Sequence, residues 1–257
     1  MNRKYNWLAL VVGNSRLHWA WFKDLTLIET WNTQHLSNAV KSHQLPYLYM
    51  SANLIKQCRS PIPVYLASVV PEQTELWQDY DRLNLLSLKD VELNNTYLTM
   101  GIDRALAAWG AIATYEQPCL VIDGGTALTF TGVNLQKQLI GGAILPGLRS
   151  QLTSLQEKTA ALPEVPLRDT LPTRWALNTD EAIASGVIYT AIAGIYSYII
   201  DWLQLFATGK IIFTGGDAKL YSRYLQLQFP ELIERTIIDP NLIFLGIRLI
   251  YQQQREN

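Results

Sequence analysis

Two hairpin-like stretches recur in the two halves of the chain, and they constrain the fold more than any other feature. LALVVGNSRLHWAWF covers residues 8–22 and CLVIDGGTALTFTGV covers residues 119–133. In each, an apolar run stops at a Gly-rich turn and resumes at once as a second run. The turns are Gly13-Asn14-Ser15 and Gly124-Gly125-Thr126. So short a connection permits only antiparallel neighbours, because a parallel return needs a crossover of a dozen or more residues. A third strand extends each pair, giving expected meanders over 7–13, 16–22 and 26–31, and over 118–123, 126–133 and 137–145.

The rest of each half alternates between helical and strand patterns. Residues 37–43 are polar and helix-tolerant, 45–51 and 62–70 read as buried strands, and 53–59 as a helix between them. Pro71 opens a helical segment to about Tyr80. In the second half, helices are expected over 148–159, 179–206 and 241–254, with a strand in KIIFTGGDA (210–218) that runs into a helix. This duplicated strand-strand-strand-helix-strand-helix-strand order resembles the ribonuclease H-like lobe of the actin and sugar-kinase superfamily. The expected class is therefore α/β, two duplicated lobes with mixed sheets, over residues 1–115 and 116–257. A doubly wound dinucleotide-binding domain fits worse, since the early strands lack crossover helices.

Composition narrows the function. Of 257 residues 49% are hydrophobic and 17% charged, enough apolar surface for a substantial core. The formal net charge is −1 with no Lys/Arg block, so no general grip on nucleic acid is expected. Cys58 and Cys119 lie far apart without metal-ligand spacing. The start MNRKYNW leads into a strand pattern without a cleavage site, and no apolar run approaches the roughly 20 residues that span a membrane. A soluble, cytoplasmic protein with no membrane partner is expected.

Gly-rich turns leave backbone N–H groups pointing into one concavity, a nest that binds anions, to which Ser or Thr adds a hydroxyl. Both hairpin turns have this chemistry. Gly215-Gly216-Asp217 is a third such turn, either a nucleotide contact or a helix start capped by Asp217. Asp123 ends an apolar run, where its carboxylate either recruits a cation or caps the turn.

Four motifs then occur in one order: GIDR (101–104), DGGTALT (123–129), GGAILPGL (141–148) and NTDEAIASG (178–186). The set resembles type III pantothenate kinase, the bacterial enzyme that starts coenzyme A synthesis. The resemblance implies ATP-dependent phosphorylation of pantothenate to 4′-phosphopantothenate. It places Gly101, Ile102, Asp103 and Arg104 in the pantothenate pocket, with Asp103 as the base and Arg104 on the substrate carboxylate. Tyr97 stands for a pocket tyrosine before that motif. Thr179 reaches substrate across a homodimer interface, Asp123 binds potassium or ammonium, and Thr126 contacts ATP, which comes with magnesium. The ATP-binding turn runs through Val11, Val12, Gly13, Asn14, Ser15, Arg16, Leu17 and His18.

That turn departs from the family pattern, Asp-x-Gly-Asn-Thr with a later Lys. Val11 stands at the acid, Ser15 at the Thr and His18 at the Lys. Ser keeps the hydroxyl, whereas Val leaves the metal one carboxylate short, so a non-catalytic or weakly active binding or regulatory protein on the same fold is the alternative. His18 is either a phosphate contact or a polar position on the strand. The loop LPEVPLRDTLPT (162–173) is expected to form a flap, and the eight tryptophans to anchor core and interface.

Overall fold

The computed structural model describes residues 5–58 and 61–256. Strands β1 (Asn6–Val12), β2 (Leu17–Lys23) and β3 (Thr26–Thr33) form the first meander. They are followed by α1 (Ala52–Gln57), β4 (Val64–Ser68), α2 (Pro71–Glu75), β5 (Leu83–Leu85) and α3 (Ile102–Tyr115). The second half repeats this as β6 (Cys119–Gly124), β7 (Ala127–Val133), β8 (Leu139–Pro146), α4 (Leu148–Lys158) and α5 (Thr179–Leu205). β9 (Lys210–Thr214), α6 (Ala218–Gln228), β10 (Thr236–Ile238) and α7 (Leu242–Glu256) complete it.

The sheet orders are β3-β2-β1-β4-β5 and β10-β9-β6-β7-β8, the same arrangement built twice. In each, the first three strands pair antiparallel and the last two join parallel. This is the expected pair of mixed α/β sheets. The central strand β1 is buried on both faces beyond Asn6, whereas β3 alternates exposed and half-buried positions. Contacts divide the chain into Met1–Gly110 with Ile243–Asn257, and Ala111–Leu242.

Each unit has its own apolar core. In the first, Leu8, Leu10, Val12, Trp19 and Trp21 pack with Leu66 and Trp77. In the second, Leu120, Ile122 and Phe130 pack with Leu148 of α4, Ile188, Ile192 and Ile195 of α5, and Tyr221 of α6. Trp7, Trp19, Trp21, Trp77 and Trp109 are almost fully buried, and Trp7 stacks between Phe22 and Tyr251 at 4.3 Å from each ring.

Several expectations are corrected. Residues 45–51 form no strand but a single tight turn over Tyr47–Tyr49. Leu48 is 97% exposed, and the Tyr49 carbonyl accepts from Trp31 Nε1 at 2.8 Å, a bond that a sheet ladder would have needed. Residues 37–43 form no helix but a bend at 37–38 and a turn at 42–43, and Gln73 binds both the N–H and the C=O of Leu36 just before them. The helix at Pro71 ends at Glu75. The helix expected over 53–59 is Ala52–Gln57, begun by Ser51 accepting from the Leu54 N–H at 3.2 Å; Arg59 lies outside the described residues.

The reading of apolar runs is also corrected. Among the described residues one helix, α5, is long and apolar enough by length and composition to cross a membrane, with 27 residues and a mean hydropathy of 1.6. Half of its apolar window is buried in the protein, as expected for a core helix, and Thr190 and Ser197 interrupt the run when it is read residue by residue.

Candidate active site

The GIDR segment opens α3. A turn closed by the Met100 N–H on the Tyr97 carbonyl at 2.9 Å leads into it, and buried Met100, Ile102, Ala105 and Leu106 anchor the helix start. The Arg104 N–H donates to Asp103 Oδ1 at 2.8 Å, which fixes the carboxylate at the helix start. Its other oxygen accepts no hydrogen bond among the described residues. Gly101 leaves that carboxylate room, since any side chain there would collide with it. The Arg104 side chain is only 7% exposed, and its Nη1 donates to the Tyr97 hydroxyl at 2.9 Å. Tyr97, Gly101, Asp103 and Arg104 therefore stand together, whereas Ile102 is buried as an anchor.

The turn after β6 is locked from three sides. The Gly125 N–H donates to Ala127 O at 2.9 Å, the Asp217 N–H to Gly124 O at 2.8 Å, and the Gly147 N–H to Thr126 O at 2.9 Å. Ser150 Oγ donates to the same Thr126 carbonyl at 2.7 Å. Thr126 is thus held through its backbone at an exposed position. Gly215 has φ of +86°, a left-handed conformation, and lies flush against the half-buried Asp123 carboxylate. Asp217 stands at the start of α6 without capping it; its carboxylate instead receives Arg149 Nη2 at 3.2 Å.

Thr179 is exposed at the head of α5, where Asn178 accepts from the Glu181 N–H at 3.0 Å. It lines a cleft of about 750 Å³ with Gln151, Leu155, Leu162, Ala182 and Gly186. The proline loop beside it is tied down. Arg168 pairs with Glu181 at 2.6 Å, Tyr189 Oη donates to Pro172 O at 3.0 Å, and Ser185 Oγ to Arg174 O at 2.7 Å. Trp175 and Leu177 stand out from it, 86% and 102% exposed.

In the first turn, the Gly13 N–H donates to Arg16 O at 3.0 Å. Asn14, Ser15 and Arg16 form its surface, while Val11, Val12 and Leu17 are buried. His18 lies directly across the ladder from Val11 and next to Asn32 on the other side. Burial chiefly, and Arg16 secondarily, push the His18 imidazole below its usual range, against a hydrogen bond to Asn32 that raises it. Sequence reasoning missed Asn32, His35 and Arg149 as partners of these turns, and missed that Asp217 of the third turn binds the Gly124 carbonyl and Arg149. For Asn32 a signal existed, because a meander with this register sets it beside His18.

Residues 7–201 match the family model described as type III pantothenate kinase. A type III pantothenate kinase of Nostoc sp. (strain PCC 7120) is 46% identical over 258 residues, which cover 95% of this chain and 94% of that protein. Among solved structures, a Baf family protein from Campylobacter jejuni superposes with a TM-score of 0.63 at 21% identity, covering 97% of this chain and all of that one. An activator of 2-hydroxyisocaproyl-CoA dehydratase from Clostridium difficile, solved with bound ADPNP, gives 0.52 at 10% identity and 98% coverage of both. These likenesses concern the fold alone, two mixed α/β sheets of the same strand order. With the matched model spanning most of the chain and a relative this similar over nearly all of it, the chain belongs to the type III pantothenate kinase family.

Proposed function

We propose that this chain transfers the γ-phosphoryl group of ATP to the primary hydroxyl of pantothenate, forming 4′-phosphopantothenate and ADP in the first step of coenzyme A synthesis. The observation that carries this reading is the cluster of Asp103, Arg104 and Tyr97 at the start of α3. The Asp103 oxygen not held by the Arg104 N–H orients the hydroxyl and takes its proton as the oxygen bonds to phosphorus and ADP leaves. Phosphoryl transfer passes through a loose transition state, so a weak base that positions well suffices. The Arg104 guanidinium fits the pantothenate carboxylate through its planar fork, with Gly101 beside it and buried Ile102 anchoring the segment from behind.

The segment Val11–His18 and Thr126 are the parts proposed to meet ATP. Magnesium is commonly held by one or two carboxylates together with substrate phosphates, so ATP would carry it into the site. Asp123 is assigned to a monovalent cation, potassium or ammonium, because its half-buried carboxylate lies at the turn beside the Gly124 carbonyl, both close against Gly215, so oxygen donors stand together there. Such a cation, when bound, offsets phosphate charge. Thr179 is assigned to substrate across a homodimer interface. Exposed Trp175 and Leu177 beside it support that assembly, since large apolar side chains clustered in the open mark interaction surfaces. A cytoplasmic location accords with these substrates.

The test supplies purified protein with pantothenate, ATP, magnesium and potassium, and follows 4′-phosphopantothenate by mass spectrometry. Steady ATP-dependent formation is expected. No product with potassium, ammonium or sodium would refute the reading.

A further inference from the structure

His18 sits in the middle of a row crossing three strands. Val11 on β1, His18 on β2 and Asn32 on β3 are direct ladder partners, and ladder partners project to one face. His18 Nδ1 lies 2.8 Å from Asn32 Oδ1. An amide oxygen only accepts, so Nδ1 carries the proton and a neutral ring keeps its lone pair on Nε2. That nitrogen is the one turned toward the first Gly-rich turn: a Cβ on Gly13 would lie 3.5 Å from it. The turn is held in place as well, because the Gly13 carbonyl accepts from His35 Nε2 at 2.8 Å while its N–H binds Arg16 O.

The groups around the ring make its charge conditional. Val11 and Ala67, paired on β1 and β4, carry no charge, and neither does Asn32. Arg16 is the cation acting on the ring, and His35 is bound to the turn's carbonyl. In the free protein near neutral pH the ring is uncharged, so Nε2 presents an acceptor to a turn whose exposed backbone suits an anion. A phosphate oxygen beside it has the opposite requirement, a donor. Phosphate charge also opposes the two effects that keep the ring neutral.

We propose that Asn32 is a positioning residue that makes His18 a proton-linked contact for ATP. When the phosphates dock on the Gly13–Arg16 turn, Nε2 takes a proton from solvent and donates it in a hydrogen bond to a phosphate oxygen. Nδ1 stays on Asn32 throughout. The inference rests on reading this turn as the phosphate end of the kinase site, and it makes ATP affinity depend on pH through a residue far from the proposed base in sequence. Affinity is greatest where His18 is charged and falls as pH rises through the bound-state pKa.

The test is calorimetric titration of magnesium-ATP into wild type, His18→Lys, His18→Gln and Asn32→Ala, in two buffers of different ionisation heat, with KM for ATP measured across pH. Wild type is expected to take up about half a proton more than His18→Lys near neutral pH. Its KM for ATP should rise about tenfold between about pH 6 and about pH 8.5, while the lysine variant, charged throughout, shows only the titration of ATP itself. Asn32→Ala should raise KM for ATP with kcat nearly unchanged and shrink the proton uptake. Asn32→Asp, whose carboxylate still accepts from Nδ1, should restore the uptake and move the KM profile to higher pH. Equal proton uptake and equal pH profiles in wild type and His18→Lys would overturn the inference. If pantothenate is not phosphorylated, the kinase reading fails while the calorimetric comparison still decides the proton linkage. No ATP binding at all would overturn both.

Discussion

The Tyr97 hydroxyl accepts a hydrogen bond from Nη1 of Arg104 at 2.9 Å, across seven residues of sequence. The turn closed between Tyr97 and Met100 reverses the chain and lays the phenol over the first turn of α3. An arginine this buried keeps its guanidinium where the phenol holds it, which under the proposed function aims it at the substrate carboxylate. Tyr97→Phe should therefore raise KM for pantothenate several-fold with little change in kcat. Arg104→Ala should raise it by about 10–100-fold, the worth of a charge-assisted pair. Steady-state kinetics at varied pantothenate check both, and an unchanged KM in Arg104→Ala would remove the residue from the substrate site.

Gly215→Ala should disturb the Asp123 carboxylate directly. The φ of +86° is strained for alanine, and its methyl group has no space beside Asp123. A loss of about 1–3 kcal/mol of stability is expected from the backbone conformation alone. If Asp123 holds the monovalent cation, potassium dependence of the rate should weaken in the same variant and vanish in Asp123→Ala. Thermal melts and rates in potassium, ammonium and sodium separate the two effects.

How far the sequence made all this legible differs by element. The two meanders were plain because apolar strands broken by Gly-rich turns leave one pairing. β5 and β10 were not, since strands of three residues show no alternation. The segment 45–51 misled because Leu45 and Met50 are buried while Tyr47 and Leu48 between them are exposed, a pattern no strand alternation gives, and the Tyr49 carbonyl serves Trp31. Gly13-Asn14-Ser15 and DGGTALT marked their turns correctly as turns. The partners of those turns, Asn32, Arg149 and Asp217, come from distant segments, and only the register and the folded crossovers bring them in.

Trp175 and Leu177 supply a test of assembly. If their exposed side chains pack at a homodimer interface, Trp175→Glu with Leu177→Asp should halve the mass seen by light scattering and lower activity through Thr179. A monomeric wild type would contradict the proposed interface.

Burial pushes the Cys119 thiol up to about 12, against a weaker opposing effect of Lys210. Its thiolate is therefore absent from the folded protein in ordinary buffers, and alkylating reagents should reach it only after unfolding. The linkage has a definite sign. Its contribution is fully present below the unfolded thiol's pKa and is lost as pH rises from there toward 12. Cys119→Ala should flatten the alkaline fall in denaturant midpoint, and a fall unchanged in that variant would assign it to other groups.

Asp103 decides the account. Asp103→Asn keeps the size of the side chain and an oxygen for the Arg104 N–H, so the fold and KM for pantothenate should survive, but the amide cannot take the proton from the hydroxyl. Measured as kcat for 4′-phosphopantothenate formation at saturating ATP, the variant should fall by about 10²–10⁴-fold. A folded Asp103→Asn turning over within a few-fold of wild type would contradict the account and leave Asp103 as an acid at a helix start.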